Sequence, residues 1–187
     1  MRPNTITLLR LLLVPPILAL SYAQRPLWLC GGLGLFLLAV GTDWLDGYLA
    51  RRRRQVTVLG TILDGAVDTL LILSVFIVML DRDVLPAWVV FLVLGRELLV
   101  MAVRGAKAVH GEIVGANWMG KTKFVMQVVV AVLGYLELIL GAQGRALAPG
   151  VDVAALAGGV MAVVGVLLAL NFLRVQLFAG DMPANET

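Results

Sequence analysis

Six long apolar runs, separated by short stretches rich in charge, glycine or proline, set the rhythm of the chain. They cover roughly residues 6–23, 27–49, 60–80, 87–109, 119–141 and 153–178. Each is near the ~20 residues that an α-helix needs to cross the hydrocarbon core of a bilayer. The pattern predicts an all-α integral membrane protein with six transmembrane helices. These form one domain over residues 1–180, followed by a polar tail, 181–187, expected to be disordered. Pro15-Pro16 predicts a kink in the first helix. Arg2, Arg10 and the small residues Ser21 and Ala23 give the first run some features of a signal peptide. Because further spans follow, it is read as an uncleaved helix. No soluble domain, linker or strong internal repeat is visible.

Composition supports lipid as the solvent. Of the 187 residues, 60% are hydrophobic and 14% charged, against roughly 25% charged in a soluble domain. The net charge of +3 says less than its placement. One set of loops and helix ends holds Arg2, Arg51 to Arg54, Arg104, Lys107, Lys121, Lys123 and Arg174, and the opposite set only Arg25, Arg82 and Arg145. The richer side is expected to be cytoplasmic, with both termini on it. Cys30 is the only cysteine, so no intrachain disulfide can form. The single histidine, His110, reads as a loop residue. Trp28, Trp44, Trp88 and Trp118 fall near span ends, where interface anchors belong. Nothing points to a nucleic-acid partner.

Against this background four acids stand out. Charged groups inside a membrane are costly and default to function. Asp43 and Asp46 are three residues apart and Asp64 and Asp68 four apart, so each pair shares a helix face. The pairs lie on consecutive antiparallel helices near the same membrane face. Neither pair has a basic residue at helical spacing within its own apolar segment. Two divalent cations would balance the four carboxylates, and oxygen-only ligands suit Mg²⁺ or Mn²⁺. Gly47 and Gly60 permit close helix crossing or close approach of a bulky ligand.

Written out, the spacing is Asp43-x-x-Asp46-Gly47-x-x-Ala50-Arg51, eight residues, then Gly60-x-x-x-Asp64-x-x-x-Asp68. This resembles the signature of the CDP-alcohol phosphatidyltransferase family at all eight positions, and the six-span layout extends the resemblance over most of the chain. Members displace CMP from a CDP-linked lipid with an alcohol. The resemblance implies that Asp43, Asp46 and Asp64 are metal ligands. It implies that Asp68 is both a ligand and the general base, and that Gly47, Ala50, Arg51 and Gly60 form the nucleotide side of the pocket. It also implies a homodimer. The opening stretch Asn4 to Arg10 looks like the family's first helix, with Asn4 and Thr7 facing the nucleotide.

A second constellation bears on the acceptor. It comprises Gly95-Arg96-Glu97-Leu98, Arg104, Gly120-Lys121-Thr122-Lys123 and Gln127. A basic cluster beside a metal site suits a phosphorylated acceptor, whereas charge alone would equally fit topology and anionic headgroups. The motif resembles the branch that uses glycerol 3-phosphate with CDP-diacylglycerol. On that reading Arg104, Lys121, Lys123 and Arg96 hold the acceptor phosphate, although Arg96 and Glu97 could form a structural couple instead. Gly65 and Thr69 depart from that branch, where many members carry proline and lysine. Phosphatidylglycerol or inositol phosphate are the alternative acceptors. A small cation transporter is the alternative of a different class, disfavoured because the acids cluster at one face without a repeated half.

Overall fold

The computed structural model describes residues 3–23, 25–53, 58–109, 118–147 and 151–178. Within these, the side chains at 3–8, 43–53, 58–59, 61–62, 108–109, 118–119 and 177–178 lie outside the described set. Every regular element among the described residues is an α-helix. There are six helices: α1 (Pro3–Tyr22), α2 (Pro26–Arg53), α3 (Val58–Asp81), α4 (Ala87–Val109), α5 (Trp118–Gly141) and α6 (Val153–Phe178). Their bounds follow the apolar runs closely. α1 is helical through Pro15 and Pro16. The polar tail lies outside the described residues.

Three helices are long and apolar enough to cross a membrane among the described residues, at Leu63–Asp81, Gly120–Gly141 and Val153–Gln176. Shorter apolar stretches occupy Leu9–Tyr22 of α1 and Pro26–Thr42 of α2. α4 has the length, 23 residues, or about 35 Å at 1.5 Å per residue. It carries Arg96, Glu97, Arg104 and Lys107 within its span, which lowers its apolar character. Large apolar side chains face outward on several helices, among them Leu12, Leu27, Phe91 and Leu156 at 64–79% exposure. Such outward apolar surface fits lipid contact.

α3 occupies the middle of the bundle, packing on α1, α4 and α5, while α6 packs on α4 and α5. Its buried row, Leu71, Ile72, Val75, Phe76 and Met79, follows the helical period. Extended backwards, the same row passes through Asp68 and Asp64, so the carboxylates lie on the inward stripe of α3 and not on its lipid side. Two polar ties fasten the opposite half. The Ser21 and Tyr135 hydroxyls are 2.6 Å apart, both fully buried, joining α1 to α5. The Ala154 amide donates to Glu137 Oε1 at 2.9 Å, so a carboxylate on α5 caps the start of α6.

At Gly158 a Cβ would come within 2.8 Å of Leu85 and 3.3 Å of Val89. The missing side chain is what lets α6 lie close against α4.

Candidate active site

Asp64 and Asp68 project from one face of α3, both partly exposed. Asp43 and Asp46 sit near the end of α2 with Gly47, Ala50 and Arg51, and the side chains of all five lie outside the described residues. Gly60 is in the first turn of α3. No group of three or more His, Cys, Asp or Glu is assembled for a metal among the described residues. The two α3 carboxylates one turn apart nevertheless offer the hard oxygen donors that divalent ions such as Mg²⁺ or Mn²⁺ take.

Asp68 has a partner that sequence reasoning missed. Arg10 of α1 donates through Nη1 to Asp68 Oδ1 at 2.9 Å, across 58 residues of chain. The Arg10 side chain is 4% exposed and that of Asp68 24%. The signal was present in the sequence: an arginine inside an apolar helix needs a counter-charge. The absence of a basic residue near Asp68 on its own helix drew attention away from a neighbouring one.

The second cluster centres on Glu97, 7% exposed. Its Oε1 accepts from Arg96 Nη1 at 3.0 Å, Lys123 Nζ at 2.6 Å and Gln127 Nε2 at 3.2 Å. The motif residues Arg96, Glu97, Lys123 and Gln127 are therefore joined at one oxygen, bringing α4 and α5 together. Lys123 also lies within electrostatic reach of Asp68. Beside this hub a cavity of about 10 Å³, water-sized, is lined by Arg96, Glu97, Lys123 and Gln127 and closed by α6 residues Met161, Ala162 and Gly165.

Arg104 stands apart from that bonding. Its guanidinium lies 5.9 Å from the Phe172 ring centroid, a cation–π distance. It is near enough to Arg96 and Glu97 to feel both charges. Its buried Nε has no hydrogen-bond partner among the described residues. A Cβ on Gly120 would sit 3.9 Å from an Arg104 Nη, which places the guanidinium against the first turn of α5. Lys121, in that same turn, is exposed. A cation in the first turn of a helix opposes the macrodipole, so the Lys121 charge does not stabilise α5.

The fold and the site thus define a class: an all-helical membrane protein with inward carboxylates on α3 beside a basic cluster carried by α4 and α5. The CDP-alcohol phosphatidyltransferase family model matches residues 1–173, and the chain belongs to that family. It is therefore a CMP-releasing phosphatidyltransferase, and the family generally uses divalent metal ions. The chain is similar to the CDP-diacylglycerol–glycerol-3-phosphate 3-phosphatidyltransferase of Bacillus subtilis, 36% identical over 68% of this chain and 72% of that protein. The protein of the same name from Rickettsia bellii is 34% identical over 76% of each chain. A CMP-forming cardiolipin synthase of Streptomyces coelicolor is 38% identical over 58% of this chain and 52% of the other.

Proposed function

We propose that this chain transfers the phosphatidyl group of CDP-diacylglycerol to glycerol 3-phosphate, giving phosphatidylglycerol phosphate and CMP. The observation that carries the reading is the placement of Lys123. It is bonded into the basic cluster and also within electrostatic reach of Asp68. An acceptor whose phosphate is held by that cluster would present its hydroxyl toward the aspartates.

In this reading Asp68 takes the proton of the acceptor's primary hydroxyl. The freed oxygen forms a bond to the lipid-side phosphorus, and the bond between that phosphorus and the CMP oxygen breaks. Arg10 holds Asp68 by one oxygen and limits its rotation. Arg104, Lys121, Lys123 and Arg96 supply positive charge to the acceptor phosphate, with Arg96 and Lys123 also tied to Glu97. Gly47, Ala50, Arg51 and Gly60 line the nucleotide side, where Arg51 can meet phosphate oxygens. Asp43, Asp46, Asp64 and Asp68 would hold two divalent ions, Mg²⁺ or Mn²⁺, whose chemistry is to neutralise the diphosphate and make CMP a good leaving group. The lipid tails stay in the bilayer. With six spans, both termini and the site would lie on the cytoplasmic side of the cell's inner membrane, in a homodimer.

The experiment is an acceptor panel. The purified full chain is given CDP-diacylglycerol with glycerol 3-phosphate, phosphatidylglycerol or inositol phosphate, and CMP release is measured. Release with glycerol 3-phosphate above the others is expected. Preference for phosphatidylglycerol would move the reading to the cardiolipin synthase reaction, the activity named for the Streptomyces relative.

A further inference from the structure

Three cations surround one carboxylate in the α4–α5 cluster, and their bonding is unequal. Lys123 and Arg96 both donate to Glu97 Oε1, whereas Arg104 is bonded to no acid among the described residues; the buried Nε of Arg96 and that of Arg104 both lack a partner there. Gln127 donates to the same oxygen at 3.2 Å. A single acceptor atom thus fixes two side chains of α5 and one of α4. The Lys123 ammonium, which swings on four methylenes when free, is held 2.6 Å from Glu97 and feels the charge of Asp68.

We propose that Glu97 is a positioning residue for the acceptor's phosphate. It anchors Lys123 between the phosphate subsite and Asp68, occupies Arg96, and leaves the Arg104 guanidinium as the donor that meets the anion. This deepens the function proposed above and rests on its phosphorylated acceptor. The alternative is that Glu97 only offsets buried positive charge and holds the helices together.

The two accounts differ in sign. If charge alone mattered, removing the carboxylate would make the cluster more positive and tighten phosphate binding. If Glu97 positions Lys123, its removal frees the ammonium and weakens binding despite the added positive charge. The test uses the purified full chain in detergent with Mg²⁺. Direct binding of glycerol 3-phosphate is measured by titration calorimetry, together with KM for each substrate and the melting temperature. Glu97→Gln keeps the shape and an acceptor oxygen while removing the charge.

A rise of about tenfold in Kd and KM for glycerol 3-phosphate is expected, with KM for CDP-diacylglycerol near wild type whatever the change in melting temperature. Unchanged or tighter binding overturns the proposal while leaving the proposed reaction standing. A drop in melting temperature with parallel losses toward both substrates assigns Glu97 to structure alone, which also overturns it. Absence of glycerol 3-phosphate binding by the wild type removes the underlying reading, and the proposal with it. Should Glu97→Gln fail to fold, Glu97→Asp keeps the charge and withdraws the anchor by one methylene. The same rise in KM for glycerol 3-phosphate is then expected, and an unchanged KM overturns the proposal.

Discussion

Asp68 and Arg10 carry the sharpest expectations at the scale of single residues. Replacing Asp68 by Asn keeps its size but removes its capacity to take a proton. CMP release should fall by roughly 10²–10⁴, while CMP binding in a fluorescence or calorimetric titration persists. Retained turnover would remove Asp68 as the base. Arg10→Met keeps the length of the apolar stem and deletes the guanidinium that meets Asp68 at 2.9 Å. It should cost about 1–3 kcal/mol of stability, the usual penalty for leaving such a group without its partner. It should also lower kcat more than either KM. Arg10→Lys should recover part of kcat, because an ammonium can still reach the carboxylate. Full activity in Arg10→Met would deny the contact any role in turnover.

The helices were the most legible level. Apolar runs of near-spanning length, bounded by Pro26, Pro86 and the Arg51–Arg54 cluster, located all six elements to within a few residues. Less legible was how the elements meet. Spacing puts Asp64 and Asp68 on one face of α3, but nothing in α3 says that α1 brings an arginine to that face. Spacing likewise pairs Arg96 with Glu97 as neighbours. The convergence of Lys123 and Gln127 on the same oxygen depends on how α5 packs against α4. Long-range pairing is set by tertiary packing, which period and composition do not encode. Glycines show the same division. Gly34 in α2 has no atom within 4 Å of an added Cβ, whereas Gly158 would meet Leu85 and Val89. Gly34→Ala should therefore be neutral or raise stability by up to about 1 kcal/mol through helix propensity. Gly158→Val should lower it by about 1–3 kcal/mol through overpacking of α6 on α4. Thermal unfolding in detergent separates the two, and equal effects would contradict the described packing. Gly65, a departure from the glycerophosphate branch, has no atom of the described residues within 4 Å of an added Cβ.

At the scale of the whole molecule, charge is sorted by depth. Asp64 and Asp68 of α3, Lys123 and Gln127 of α5, and Arg10 of α1 sit in the halves of their helices away from the connection through Asp83 and Pro86, while Arg96 and Glu97 lie near the middle of α4. The other half is tied by Ser21–Tyr135 and by Glu137 at the start of α6. One end of the bundle gathers the charged residues of the candidate site and the other holds fastenings. EDTA should abolish CMP release, and Mg²⁺ or Mn²⁺ should restore it, without loss of helical signal by circular dichroism. Release that survives EDTA would argue against metal-assisted displacement. Cation flux in vesicles without CMP release would favour the transporter alternative.

The ion pair between α1 and α3 also sets an order of events during biosynthesis. Arg10 leaves the ribosome 58 residues before Asp68, an interval of about 3–12 s at ordinary elongation rates. α1 is thus complete, with its arginine, before Asp68 exists as a partner. On insertion scales an arginine at the centre of a helix is disfavoured by roughly 2.5–3.5 kcal/mol. The nascent helix can lower this by lifting Arg10 toward the headgroups. Once α3 is inserted, the same side chain can move inward to Asp68, so completion of the Asp68 carboxylate's surroundings coincides with the settling of α1 in the membrane.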